Sequence, residues 1–145
     1  MSFFKSMKIS SAGLSAQRLR MNILSSNLAN AQSSRTEEGG PYKRKDVVFS
    51  AVGVDGPFKS HLDETMETQL KKPKVVSIHE DMKEPRSVFD PSHPDANEDG
   101  YVKLPNIQVM NEMVNMITAT RAYEANATAL NESKQMAMKA LEIGR

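Results

Sequence analysis

Cysteine is absent from the 145 residues. Its absence excludes a disulfide scaffold, thiolate catalysis and cysteine-based zinc sites. No apolar run approaches the ~20 residues that a membrane-spanning helix needs, and no signal-peptide core follows Met1. No glycine-rich phosphate loop occurs: Glu38-Gly39-Gly40-Pro41 does not open a helix with Lys-Ser/Thr. An excess of one charge is missing too. With 19 basic and 18 acidic residues the net charge is +1, so the total favours no nucleic-acid partner.

Local absences say more. Proline is missing from both ends, since all seven prolines lie between Pro41 and Pro105. Five of the seven glycines share nearly the same stretch, and eight of the ten methionines lie outside it. Proline removes a backbone donor and clashes with the preceding helical turn, so this punctuation divides the chain into 1–31, 32–106 and 107–145. Acid is missing from the first part, which carries Lys5, Lys8, Arg18 and Arg20. The middle holds 11 bases and 14 acids, and the last part 4 of each. The near-neutral total averages unlike parts.

The last part has the strongest period. Val109, Met113, Met116, Thr120, Tyr123, Ala127, Leu130, Lys134, Ala137 and Leu141 alternate steps of four and three, a heptad seam. Pro105-Asn106 supplies a start and Gly144 a stop. At ~1.5 Å per residue the helix would be roughly 50 Å long. In the first part Met7, Leu14, Met21 and Leu28 repeat every seven residues, with Leu24 and Ala31 between. Each helix also has a second stripe: Ala12, Ala16, Leu19 and Ile23 in the first, and Met110, Val114 and Ile117 in the last, continued by Ala122, Ala125 and Ala129. A helix in a simple hairpin needs one apolar stripe, so two stripes imply neighbours on two sides. One chain with two long helices cannot cover four faces. The remaining neighbours must be other chains.

The middle carries β-like runs at Asp46–Phe49, Lys74–Ile78 and Tyr101–Leu104, with turn chemistry at Asp55-Gly56-Pro57. About 75 residues with few large apolar groups make a poor independent core, so parts of it are expected to be loose in the isolated chain. The expected fold is therefore mainly α with a small β part. Long N- and C-terminal helices (1–31 and 107–145) pair as an antiparallel coiled coil and form one helical domain, with an irregular β-containing middle region at 32–106.

Nothing local points to catalysis. Asp95-Ala96-Asn97-Glu98-Asp99-Gly100 matches half a calcium loop, but its twelfth position is Asn106 and Pro94 and Pro105 oppose flanking helices. A polar turn with Asx caps is the simpler reading. His61, His79 and His93 are isolated from one another. The clusters Lys43-Arg44-Lys45 and Lys71-Lys72-Lys74 are surrounded by acids and read as solvated surface. No catalytic, metal or cofactor site is expected. The acid-free first helix also fits a membrane-surface or helix-groove binding module, although its bases are not segregated from its apolar stripes.

Four segments carry a resemblance. Ser25-Ser26-Asn27-Leu28-Ala29-Asn30-Ala31, closing a heptad helix that begins near Gly13-Leu14, resembles the N-terminal signature of the bacterial flagellar basal-body rod protein family. Arg35 through Gly39-Gly40-Pro41-Tyr42 to Asp46 looks like its proximal-rod members, as does Asp90-Pro91-Ser92-His93-Pro94-Asp95-Ala96-Asn97 through Gly100-Tyr101-Val102. Pro105-Asn106 through Glu112-Met113 to Arg121-Ala122-Tyr123-Glu124-Ala125-Asn126 completes the likeness. Gln32-Ser33-Ser34 departs from it, standing where the family usually has Asn-Thr-Thr.

The resemblance implies a non-enzymatic, self-assembling subunit of the periplasmic drive shaft that carries torque from the inner-membrane ring to the hook. Implied partners are copies of itself, other rod subunits of the FlgB, FlgF and FlgG type, the ring–rod adaptor FliE and the flagellar type III export apparatus. Export would proceed without a cleaved signal peptide, with no nucleic acid and no stable membrane insertion. The expected helix-packing and assembly positions are Leu14, Met21, Leu24, Leu28, Met113, Met116, Ile117, Tyr123, Leu130 and Leu141. Structural roles are implied for Asn27 and Asn30, which would bond backbone at the helix end, and for Gly39, Gly40, Pro41 and Tyr42. The same holds for Asp90, Pro91, His93, Pro94, Asp95, Asn97 and Gly100 in the loop, and for Arg121, Glu124 and Asn126 in the last helix.

Overall fold

A computed structural model describes residues 3–37, 39–54 and 70–144. The turn expected at Asp55-Gly56-Pro57, together with His61, lies outside the described residues. Two long helices enclose the chain order: α1 (Phe3–Ala29), β1 (Lys45–Gly53), β2 (Lys71–Glu80), β3 (Arg86–Phe89), β4 (Tyr101–Leu104) and α2 (Val109–Ile143).

Neither helix contains proline, and each stops where its chemistry changes. Past Ala29 the Asn30 side chain donates back to the Ser26 carbonyl at 2.9 Å, and the Asn30 N–H bonds the same oxygen at 3.0 Å. The Asn side chain thus adds a second bond to the terminal carbonyl that closes the last turn. α2 begins three residues beyond Pro105-Asn106 and ends against Gly144. At ~1.5 Å per residue the two helices are about 40 and 50 Å long.

They pack antiparallel, with a register fixed by contacts that climb one helix and descend the other. Ser6 Oγ lies 3.4 Å from Ser133 Oγ. Gly13 faces Asn126, the Thr120 hydroxyl meets Met21 Sδ at 3.6 Å, and Asn27 bonds Glu112 at 3.1 Å. β1 and β2 form an antiparallel ribbon from Lys45↔Glu80 to Gly53↔Lys71 that also contacts α1. Its register shifts between Val48 and Phe49, leaving Val76 as the extra residue of a bulge.

β3 and β4 make a second, separate pair, Arg86↔Leu104 to Phe89↔Tyr101. The β-runs at 46–49, 74–78 and 101–104 are all strands, the first two longer than their apolar cores. β3 has no such signal, because four residues bracketed by Pro85 and Asp90-Pro91 are too short to show alternation. It is held by its partner strand and by the Phe89 and Tyr101 rings, whose centroids lie 5.3 Å apart edge to face.

The buried apolar residues are mostly small: Ala16, Ala31, Val47, Val54, Val102 and Ala119, with Leu24 and Ile107 the largest. So little apolar volume leaves polar contacts with much of the work of fixing geometry. Among the described residues no helix is long and apolar enough to cross a membrane.

Candidate functional site

Two features converge on the helix pair: a polar cluster at one end, and an apolar flank along its side. The cluster is centred on Asn27, fully buried two residues before the end of α1. Its Oδ1 accepts the Lys45 N–H at 2.9 Å and the Tyr42 hydroxyl at 3.1 Å. Its Nδ2 donates to the Lys45 carbonyl at 2.7 Å and to Glu112 Oε2 at 3.1 Å. Both acceptor sites and both donors of the amide are therefore used. The side chain acts as a one-residue strand partner for the start of β1.

Glu112, 2% exposed, completes the cluster from the first turn of α2. Its Oε1 accepts Arg44 Nε at 2.8 Å, and Arg44 reaches on to Asp46 at 3.3 Å. Burial works against the charge on Arg44, but the hydrogen bond and attraction to Glu112, with Asp46 adding, outweigh it and raise its pKa above the ordinary value. The N-terminal end of the α2 dipole favours the Glu112 carboxylate as well. The Ser26 hydroxyl lies 3.3 Å from the Tyr42 hydroxyl, extending the network along α1.

Next to the cluster, Gly39 and Gly40 turn the chain with φ of 85° and 79°, a region open to glycine at little cost. Pro41 and Tyr42 are half-buried, and the Thr36 N–H closes the turn onto the Gly40 carbonyl at 2.9 Å. The loop 90–100 is a set of Asx-type caps. Asp90 accepts the Ser92 hydroxyl at 2.6 Å and the Ser92 N–H at 3.1 Å, which lower its pKa. His93 Nδ1 accepts the Asp95 N–H at 3.1 Å, and Asn97 Oδ1 accepts the Tyr101 N–H at 2.7 Å. Asp95 accepts the Ser34 hydroxyl at 2.7 Å, tying this loop to the chain beyond α1. Pro91 and Pro94 are exposed. Gly100 is buried at φ 79°, and a Cβ there would lie 2.9 Å from the Phe89 ring.

The seam between the helices is displaced from the large apolar rows. On α1 the residues that meet α2 recur as Ser6, Gly13 and Asn27; on α2 they recur as Glu112, Ala119, Asn126 and Ser133. Each row lies one residue before a row of the heptad pattern, Met7-Leu14-Met21-Leu28 on α1, which is apolar throughout, or Met113-Thr120-Ala127-Lys134-Leu141 on α2, which is large and apolar only at its ends. The intervening rows stay with the seam: Leu24 is buried, and Met116, Tyr123 and Leu130 are half-buried. The reason is room. A Cβ on Gly13 would come within 2.6 Å of Asn126 Oδ1, and Ala119 is wholly buried, so at these points of closest approach small or hydrogen-bonded side chains are needed.

The displaced rows do not scatter. Advancing one residue turns each right-handed helix by about 100°. In an antiparallel pair the two turns run in opposite senses as seen from one end, so both rows reach the same flank. The contact of Thr120 with Met21 lies on that flank. Leu14, Met21 and Leu28 are half-buried there and Met113 is exposed, whereas Met110, Val114 and Ile117, exposed too, lie farther round on the face of α2 turned away from the seam. Leu141 is exposed near the end of α2. Arg121 and Glu124 are exposed, and Asn126 donates to the Ala122 carbonyl at 2.7 Å.

Glu112 and Arg44 are the central residues that heptad reasoning passes over. The signal available was a second seven-residue row, Glu112-Ala119-Asn126-Ser133, small or polar throughout, and therefore invisible to a search for apolar residues. The geometry holds elements together and offers an apolar surface. Among the described residues no three His, Asp or Glu side chains converge as a metal site.

Residues 7–32 match the family model described as flagella basal body rod protein. Residues 98–143 match the C-terminal model of the flagellar basal body rod FlgEFG proteins. The chain is 42% identical to a flagellar basal-body rod protein FlgC of Borreliella burgdorferi, over 99% of this chain and 98% of the relative. It is 43% identical to the Bacillus subtilis protein of that name over the full length of both, and 38% identical to that of Salmonella typhimurium over 94% of each.

Proposed function

This chain belongs to the FlgC family of flagellar basal-body rod proteins and is a structural subunit of the rod rather than an enzyme, and we propose that it joins the rod by keeping one row of each terminal helix for itself and offering the next row to its neighbours. One observation carries the proposal: large apolar side chains off the seam stay uncovered in the single chain, Met113 46% exposed in the row next to the seam, and Ile117 54% and Met110 71% exposed on the face of α2 turned away from it. Apolar side chains at helical spacing on one flank are what a further helix packs against. Leu24, Met116, Tyr123 and Leu130 belong to the chain's own seam in this reading. Leu14, Met21, Leu28, Met113, Ile117 and Leu141 belong to assembly.

The helical ends act together as one coiled-coil domain, with 32–106 as the outward-facing region. The partners are copies of this chain, rod subunits of the FlgB, FlgF and FlgG type, the ring–rod adaptor FliE and, during delivery, the flagellar type III export apparatus. The subunit works in the periplasm, reaches it without losing a cleaved signal peptide, and passes torque from the inner-membrane ring toward the hook. Torque requires contacts that do not slide, which favours interlocked helices over a smooth interface.

The test is a charge on the exposed apolar surface of α2. Ile117→Asp should leave the subunit's helical content intact and abolish motility when it replaces the native protein in a flagellated strain. Full motility with rods of normal composition would overturn the reading.

A further inference from the structure

We infer that Asn27, Arg44 and Glu112 form a conformational latch, which seats the base of the β1–β2 ribbon only when α1 and α2 are paired. The inference concerns the single chain and does not rest on the assembly surface. Asn27 comes from the end of α1, Arg44 and Lys45 from the entry to β1, and Glu112 from the start of α2. No two of the three elements complete the cluster. Without α2, Arg44 loses Glu112 and one Asn27 donor loses its acceptor. Without α1, both polar groups of the Lys45 backbone lose their bonds to the Asn27 amide.

The connection continues into β2. The Arg44 carbonyl accepts the Asp81 N–H at 2.8 Å, and the salt bridge Lys45–Glu80 spans 3.4 Å one rung along. Arg44 thus holds α2 with its side chain and the far strand with its backbone. A buried carboxylate and a fully bonded buried amide are costly to leave half-paired, so intermediate arrangements are penalised. The ribbon base and the helix pair should open as one unit.

Two variants of the full chain test this by amide hydrogen exchange at Lys45 and Asp81. Gly13→Leu disturbs the helix pair about 20 Å along α1 from the latch. Glu112→Gln removes the latch charge while keeping its shape. In both, the Lys45 and Asp81 amides should exchange about tenfold faster or more, while the Asp90 amide, bonded to Gly100 within the β3–β4 hairpin at 2.9 Å, keeps its native rate. Unchanged Lys45 or Asp81 rates in either variant would overturn the latch. So would an equal acceleration at Asp90, because the change would then be general loosening.

Discussion

Gly13 and Leu14 are adjacent in α1, yet they belong to different surfaces. Gly13 is buried against Asn126, and Leu14 lies half-buried on the flank. The same one-residue offset separates Glu112 from Met113 in α2, the first 2% and the second 46% exposed. Hydrophobicity marks a surface that will be covered; it does not say by which chain. Size and polarity do. A seam whose closest points are glycine, alanine, serine and the fully paired Asn27 amide brings two backbones close and fixes their register, because hydrogen bonds demand particular partners. A row of Met, Leu and Ile is less exacting, and it suits contact that forms later with another helix.

Changes to the seam should weaken the single chain, and changes to the exposed apolar surface should leave it standing. The largest effect is expected from Glu112→Ala, which strands Arg44 and one Asn27 donor in a buried setting. Removing one partner of a buried pair costs about 3–5 kcal/mol, and the low end applies because Arg44 is 21% exposed. Urea unfolding followed by helical circular dichroism would measure it. Gly13→Leu should cost about 1–3 kcal/mol by overpacking, read the same way. Gln17→Met should act in the opposite direction. Gln17 Oε1 is buried without a hydrogen-bond partner, and removing that polar group should stabilise the chain by about 1 kcal/mol. Ile117→Asp, on the exposed apolar surface of α2, should move the isolated chain's stability by no more than about 0.5 kcal/mol while blocking assembly.

The smallest effect is in the 90–100 loop. The folded state lowers the pKa of Asp90, so its stabilising contribution is present above the unfolded carboxylate's pKa and is lost as pH falls through the folded value. Acid should therefore loosen the Ser92 turn without touching the helices. Two-dimensional NMR of the Ser92 amide through an acid titration would show whether it does.

These contrasts also explain what the sequence revealed and what it hid. The long helices, their antiparallel pairing and three of the four strands among the described residues were legible, because heptads and β-branched runs are periodic and the prolines mark where helix cannot continue. β3 was hidden by its length, and its pairing depends on a strand farther along the chain, Phe89 opposite Tyr101 and Arg86 opposite Leu104. The hydrogen bonds of Asn27 and Asn30 to backbone follow from the chemistry of Asn at a helix end. Glu112 stood out only as part of a family string, and Arg44 reads from sequence as solvated surface within Lys43-Arg44-Lys45. The structure corrects that, holding Arg44 half-buried against Glu112 because the buried carboxylate needs a partner. Their partnership spans sixty-eight positions, and charge patterning is read over one or two helical turns. The phase of the seam was hidden for a different reason: the eye follows large apolar residues, and here the contact belongs to the small ones.

The absence of native cysteine makes the central division directly measurable. Single-cysteine chains, Ile117→Cys on the exposed apolar surface of α2 and Ser133→Cys in the seam, can be timed against a maleimide, both as isolated subunits and in assembled rods. Ile117→Cys should react freely in the isolated chain and slow about tenfold or more in rods, while Ser133→Cys should be slow in both. A freely reactive Ile117→Cys in assembled rods, or a Ser133→Cys that becomes protected only on assembly, would contradict the assignment of the seam to the chain and the exposed apolar surface to its neighbours.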